Sequence, residues 1–271
     1  MFTRLGQHFL VCPWVAERMR DAAKITSEDT VLEIGPGRGA LTRVLAHTGA
    51  RVIAIEKDEA LARELHATLT RKTIQNVSVL TGDIRDFLTR EKKTDFALLF
   101  GNQPYKVVAN IPYYLSSRLI RLLLTISPKP STLALTLQKE VAERMVAVVP
   151  RMNLLALSVQ IYGIPHIIAS VPASCFNPRP KIDSMIVIIE HINNNFFIEN
   201  KISEEIFFAF VRHAFSTKRK FITHALRSYA SLHNNEAQQL LTQFSIPQNA
   251  RPETLTLSQW TLLIRALNSR S

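Results

Sequence analysis

Cysteine is nearly absent from this chain: 271 residues include two, Cys12 and Cys175. They make no CxxC pair, and no Cys/His cluster has zinc spacing, so no structural metal is expected. Two such thiols read as ordinary core or near-surface side chains of a reduced, intracellular protein. Long apolar runs are also missing. Leu119 to Ile126, among the longest, is broken by Arg121 and falls well short of the ~20 residues a membrane span needs. The segment from Met1 to Gln7 has no apolar core, so a signal peptide is not expected and the cytoplasm is the expected compartment. Acidic residues are in deficit, 22 Asp+Glu against 33 Lys+Arg, for a formal net charge of +11. A surface that basic favours a polyanion, and nucleic acid is the usual one. No repeat or low-complexity stretch interrupts an ordinary globular composition.

What is present is a regular alternation. Val15 to Ala23 reads as a helix and Val31 to Ile34 as a strand, ending at Gly35-Pro36-Gly37-Arg38-Gly39. Leu41 to Ala46 is helical, Arg51 to Ile55 is a strand closing on Glu56, Ala60 to Leu69 is helical, and Val77 to Leu80 is a strand ending near Asp83. Strand, helix, strand, helix, strand is the signature of a parallel sheet. Two apolar, strand-like runs follow, Phe96 to Phe100 and Val107 to Ala109; then come a helix at Leu115 to Ile126, a strand at Thr132 to Leu137 and a helix at Gln138 to Val146. Leu154 to Tyr162, Ile164 to Ala169 and Ser184 to Ile189 read as one more helix and two late strands. Residues 1–190 are therefore expected to form a doubly wound α/β domain. The polar, turn-prone stretch from His191 to Asn195 reads as a linker. Beyond it the apolar spacing is helical, so residues 196–271 are expected to form a small all-helical domain.

In an open parallel sheet, ligands sit beyond the carboxyl ends of the strands. The Gly35 to Gly39 turn lies there, where glycine lets backbone approach a ligand. A dinucleotide fingerprint would place its third glycine one residue later. Glu56 ends the second strand, where a carboxylate can accept from both ribose hydroxyls of an adenosine. Asp83 ends the third, where it can accept from an adenine amine or cap the next helix. The set suits S-adenosylmethionine, which carries adenosine and no pyrophosphate.

Two Asn-x-Pro-Tyr tetrapeptides occur, Asn102 to Tyr105 and Asn110 to Tyr113. Each follows an apolar run. The second is preferred, because Val107-Val108-Ala109 leads straight into it and a long helix follows. Adenine N6 is a poor nucleophile, since its lone pair is delocalised into the ring. The Asn110 side-chain oxygen can accept one N6 proton, and the Ile111 or Pro112 carbonyl the other. Tyr113 offers a face on which the base can stack. Catalysis is then mostly positioning.

These residues resemble the rRNA adenine N6,N6-dimethyltransferases, specifically the bacterial small-subunit type. The resemblance rests on Gly6-Gln7-His8-Phe9-Leu10, Val31 to Gly37, Ala109 to Tyr114, Leu137 to Met145, Phe176 to Ser184, Phe215 to Lys220 and Arg251 to Leu257, and so covers nearly the whole chain. It implies a Rossmann-like class I methyltransferase sheet. It implies that His8 and Leu10 help to cover S-adenosylmethionine, with Gly35, Gly37, Glu56, Asp83 and Asn110 binding it. Phe176 is implied as a second wall for the adenine, opposite Tyr113. The implied substrate is a pair of adjacent adenosines in a loop near the 3′ end of 16S rRNA in the assembling small subunit, with no DNA partner and a monomeric enzyme. The chain departs from the family at Met152-Asn153, where Tyr-Gly is usual, and at Phe221-Ile222, where Thr-Leu follows the basic pair.

Lys218, Arg219 and Lys220, with Arg212 upstream, read as a phosphate-binding patch or as a solvated helix face. Arg144, Arg179 and Lys181 are further candidates. Three rival readings differ in class: a large-subunit (23S) rRNA adenine methyltransferase of the macrolide-resistance type, a non-catalytic assembly factor, and an NAD-dependent dehydrogenase. The C-terminal Arg-Pro-Glu-Thr-Leu-Thr-Leu and the Lys-Arg-Lys segment favour the small-subunit enzyme. The assembly factor has no need of the Asn110 motif, and the dehydrogenase leaves it unexplained.

Overall fold

The computed structural model describes residues 7–88, 93–101, 103–217 and 220–269. Gly6, Asn102, Lys218 and Arg219 lie outside the described residues. Contacts divide the chain into two compact units, residues 1–143 with 163–192, and residues 144–162 with 193–271.

The first unit opens with a two-residue strand β1 (Phe9–Leu10) and helix α1 (Pro13–Ala22). The alternation follows as β2 (Thr30–Ile34), α2 (Ala40–Ala46), β3 (Arg51–Glu56), α3 (Glu59–Arg71), β4 (Val77–Thr81), α4 (Ile84–Phe87), α5 (Lys93–Leu98) and β5 (Tyr105–Asn110). Then come α6 (Ser116–Thr125), β6 (Thr132–Gln138) and α7 (Lys139–Met145), which runs into the second unit, where α8 (Leu154–Gln160) follows. The sheet is finished by β7 (Ile164–Val171), β8 (Phe176–Asn177) and β9 (Ser184–Glu190).

Among the described residues seven strands make one sheet in the order β4-β3-β2-β5-β6-β9-β7. The first five positions are parallel, and β9 inserts antiparallel between β6 and β7. The order reverses between β2 and β5, which is where a doubly wound sheet opens a crevice for a ligand. All five residues of β2 are buried, as a strand covered on both faces requires. Val15 and Met19 of α1 and Leu41 and Leu45 of α2 pack with Val31, Val52 and Val108 of the sheet in one core. That packing fixes the loop between β2 and α2.

The run from Phe96 to Phe100 is not a strand: α5 carries its first half and a turn its second. Its rings work as core, with Phe96 and Phe100 fully buried and Phe100 stacked on Tyr105 at 3.8 Å. Aromatic residues suit either element, and the run is too short for its period to decide.

The second unit contains helices and 3-10 turns among its described residues, with α9 (Asn195–Asn200), α10 (Glu204–Ser216), α11 (Ile222–Ala230), α12 (Asn234–Gln243) and α13 (Leu257–Asn268). Its core is aromatic: buried Trp260 meets Phe210 and Phe215, each 5.8 Å away between ring centres. Residues 144–162 fall in this unit rather than with residues 1–190. Tyr162 packs on Phe197 at 5.6 Å, and the Met152 amide donates to the Glu253 carbonyl at 3.1 Å. Helix α8 is capped by Asn153, whose side-chain oxygen accepts from the Leu155 and Ala156 amides, so the departure at Met152-Asn153 is a helix start.

The two cysteines are not separate thiols. Cys12 and Cys175 are joined in a disulfide across 163 residues of sequence. Spacing alone gives no sign of this, because the pair is brought together by β1 and β8, which run antiparallel with Leu10 opposite Phe176. No helix among the described residues is long and apolar enough to cross a membrane.

Candidate active site at the carboxyl ends of β2 and β5

The first unit has a pocket holding about 630 Å³ of empty space, part of it open to solvent. It is lined by the β1 segment (Gln7 to Leu10), by Glu33 and the Gly35 to Arg38 turn after β2, and by Asn110 to Tyr113 after β5. Of the residues expected at the site, His8, Leu10, Gly35, Gly37, Asn110, Pro112 and Tyr113 meet here.

The glycine turn is shaped by three left-handed residues, Gly35, Gly37 and Gly39. Gly35 has φ +68, and a Cβ built on it would meet nothing within 4 Å, so its backbone faces open pocket. Gly37 has φ +55, and a Cβ there would lie 2.9 Å from the Phe9 ring. That glycine admits β1 as the pocket's outer wall. Glu56, 1 % exposed, ties the turn to β3: its Oε2 accepts from the Gly37 amide and its Oε1 from the Asp58 amide, each at 2.9 Å. A carboxylate oxygen has two acceptor sites, so each keeps one beyond these bonds, but Glu56 is not among the pocket's lining residues.

Asp83 is not among the pocket's lining residues. It caps α4 through the Arg85 amide at 3.0 Å and grips the Arg85 guanidinium, with Lys57 Nζ 3.0 Å from Oδ2. The hydrogen bond from Arg85 holds its carboxyl well below the usual carboxylate range, and Lys57 adds to this. Phe176, expected as the wall opposite Tyr113, is 3 % exposed and paired with Leu10, so it backs β1 and does not line the pocket. The ring facing Tyr113 is instead that of His8, 5.3 Å away and tilted by 32°.

Asn110 and Tyr113 are both fixed. Asn110 Nδ2 donates to the His8 carbonyl at 3.0 Å. A carbonyl can only accept, so this contact sets the amide orientation and leaves Oδ1 as an acceptor. Tyr113 shares a hydrogen bond of 2.7 Å with Ser184 Oγ on β9, and burial raises its phenol pKa. Its hydroxyl is thus anchored and its ring held in the pocket wall. The other tetrapeptide has a different place. Tyr105 opens β5, at the opposite end of the strand from Asn110; it is 1 % exposed and donates to the Pro128 carbonyl at 3.0 Å. It is a core residue.

Sequence reasoning passed over Glu33 as a site residue. It sits on β2 just before the turn, is 1 % exposed and lines the pocket, and its Oε2 has no hydrogen-bond partner among the described residues. Burial pushes its carboxyl up to about 8, the nearby Glu56 reinforcing the rise and Thr42 opposing it. An orphan buried oxygen beside an open glycine backbone fits a ligand with a cationic, hydrogen-bond-donating end, as S-adenosylmethionine has. The visible signal was an acidic residue inside an otherwise apolar strand.

A parallel sheet of this order with one antiparallel insertion, a glycine turn after β2, an acidic end to β3 and Asn-x-Pro-Tyr after β5 define a class I methyltransferase. The family model described as ribosomal RNA adenine dimethylase matches residues 2–269. The chain belongs to that family, whose chemistry is S-adenosylmethionine-dependent dimethylation of adenine in rRNA. It is 38 % identical over 260 residues to a protein named ribosomal RNA small subunit methyltransferase A from Dehalococcoides mccartyi, covering 96 % of this chain and 86 % of that one. A protein of the same name from Alkaliphilus metalliredigens is 34 % identical, with 98 % and 91 % covered. Among solved structures, a dimethyladenosine transferase from Plasmodium falciparum superposes with TM-score 0.79 at 26 % identity, covering 97 % of this chain and 98 % of that one. The 23S rRNA methyltransferase ErmE shares the fold, with TM-score 0.72 at 24 % identity over 96 % and 99 % of the two chains.

Proposed function

We propose that the protein transfers methyl groups from S-adenosylmethionine to N6 of two adjacent adenosines in a loop near the 3′ end of 16S rRNA, in the assembling small subunit in the cytoplasm, giving N6,N6-dimethyladenosine. The observation that carries this reading is Asn110, held by the His8 carbonyl with its Oδ1 left as an acceptor in the wall that Pro112 and Tyr113 continue. The cofactor supplies an electrophilic methyl. Gly35, Gly37, Leu10 and the Glu56 carboxylate would hold it, with Glu33 toward its charged end. Asp83, held at the end of β4 by Arg85 and Lys57, is the carboxylate that would accept from the adenine amine of the cofactor. Asn110 Oδ1 and the backbone carbonyl beside it would accept hydrogen bonds from the N6 hydrogens, turning the nitrogen lone pair out of the ring plane; as the N–CH3 bond forms the S–CH3 bond breaks, S-adenosylhomocysteine leaves, and the alkylated nitrogen releases one proton to solvent. Tyr113 stacks on the base. Phe176 supports the wall through its pairing with Leu10. A base reacting here must be unstacked, and a loop makes that less costly than a duplex does. The names of the relatives support the small-subunit substrate over a large-subunit one.

The test is transfer of labelled methyl groups to under-methylated small subunits by the wild type and by Asn110→Ala, with the product nucleoside identified. The expected product is N6,N6-dimethyladenosine, with the rate reduced about 10²- to 10³-fold in the variant, the size of effect seen when one preorganised hydrogen-bonding group is removed. Transfer to protein-free 23S rRNA instead would replace this reading with the large-subunit one. Subunit binding without transfer would leave an assembly factor.

A further inference from the structure

A second cavity of the first unit, unused by the chemistry above, lies between α1 and α2. It holds about 1220 Å³ of space counted out to solvent. Leu10, Arg38 and Ala40 line both it and the cofactor pocket, so the groove runs into the pocket mouth. Its polar lining is Glu17 and Arg20 from α1, Arg38 from the glycine turn, and Arg43 and His47 from α2 and its end.

These cations are unequally committed. Arg20 is paired with Asp21 at 2.7 Å. Arg38 and Arg43 make no ion pair among the described residues. One nitrogen of Arg43 donates to the Arg38 carbonyl at 3.0 Å, and the Arg38 guanidinium lies 5.0 Å from the centre of the Phe9 ring. A guanidinium has five N–H donors, so most remain available, and the ring contact holds Arg38 in place without satisfying them. His47 Nδ1 donates to the Arg43 carbonyl at 2.5 Å, leaving Nε2 available. Among the described residues, Glu17 is the one carboxylate in the lining. Val11, 53 % exposed, adds an apolar patch.

We infer that this groove is an RNA contact of the catalytic unit, which takes the phosphodiester backbone of the strand flanking the adenosine presented to the pocket. The inference rests on the proposed function, since it needs an RNA strand passing the pocket mouth. Guanidinium forks match phosphate geometry, and two of them that make no ion pair among the described residues, Arg43 feeling only the buried Glu33 electrostatically, lie beside the cofactor pocket and are placed to hold that strand. Val11 gives a sugar or an unstacked base an apolar surface. An acidic peptide would meet the same charge, but would have no reason to lie against the methyl-transfer pocket.

Binding to under-methylated small subunits, measured from low to moderate KCl, tests this with Arg43→Gln and Glu17→Gln. Calorimetric affinity for S-adenosylhomocysteine monitors the pocket. Arg43→Gln should weaken binding several-fold at low salt and reduce the slope of log K against log salt by about 0.7–0.9, the value for one lost phosphate contact. Glu17→Gln should tighten binding, a gain that a misfolded variant cannot produce. Unchanged affinity in both, while the wild type methylates subunits, would overturn the groove and leave the function standing. So would a loss in Arg43→Gln matched by loss of S-adenosylhomocysteine affinity, without a gain in Glu17→Gln. Failure of the wild type to methylate any small subunit would instead remove the reading on which the groove rests.

Discussion

Replacing Glu33 by glutamine should change how stability depends on pH. Burial beside Glu56 pushes the folded carboxyl up to about 8, against 4.5 for a free side chain. Between these values the folded protein keeps a proton that the unfolded chain has released. Stability therefore falls as pH rises, with a slope of about −1.36 kcal/mol per pH unit, and levels off above pH 8. From pH 5.5 to 7.5 the loss from this one group is about 2–3 kcal/mol, a large share of the ~5–15 kcal/mol that holds a typical domain together. Glutamine keeps the shape and cannot ionise. Urea unfolding of wild type and Glu33→Gln at the two pH values isolates the term, because other titrating groups cancel in the difference. The variant should gain on the wild type as pH rises, by that amount. Parallel stability curves would refute the reasoning and place Glu33 in contact with a compensating group or with water. Under the proposed cofactor placement, a cationic ligand draws the proton off, so binding near neutral pH should release protons to buffer, and Glu33→Gln should abolish that release.

Other substitutions separate the parts of the site. Gly37→Ala puts a Cβ 2.9 Å from the Phe9 ring at a φ of +55, so cofactor affinity measured by calorimetry should fall at least tenfold while the far end of the sheet stays folded. Tyr105→Phe loses a buried hydrogen bond, costing about 1 kcal/mol in thermal unfolding, and should leave methyl transfer unaltered, unlike Asn110→Ala. Reduction of the Cys12–Cys175 bond by a dithiol should lower the melting temperature, because a cross-link over so long a loop contributes on the order of 4–5 kcal/mol in the chain-entropy account. Cys175→Ser should melt alike with and without reductant. Acidification below the usual carboxylate range should weaken the Arg85–Asp83–Lys57 cluster, whose stabilisation is present above pH 4 and lost as Asp83 takes up a proton; Asp83→Asn should remove that acid sensitivity in a melt series.

Where the chain states a period, the structure follows it. The strands at Val31, Arg51, Val77, Thr132, Ile164 and Ser184 and the helices between them are long enough for burial on one or both faces to leave a pattern. The preference between the two Asn-x-Pro-Tyr motifs could be reasoned from context, since only one ends a strand and precedes a helix. What escaped was tertiary in origin. A strand of two residues has no period, so β1 and β8 left no trace, and with them went the disulfide and the reason Phe176 lies beneath Leu10. Residues 144–162 read as sheet-domain residues because a helix between strands usually is one. Their place in the other unit depends on the Tyr162 ring and the Met152 amide finding partners more than thirty residues further on. Asp83 was legible as a strand-end carboxylate, but its engagement with Arg85 and Lys57 was not.

The pairing of β1 with β8 has a consequence for the order of events during synthesis. The glycine turn, Glu56 and Asn110 emerge early from a translating ribosome, as does the strand that walls the pocket. That strand has no partner until Cys175 to Asn177 follow it out, 163 residues after Cys12. A nascent chain shorter than this carries the glycine turn and the Asn110 segment, but nothing that pairs with β1. The outer wall of the pocket is thereby fixed only once most of the first unit's chain has been made.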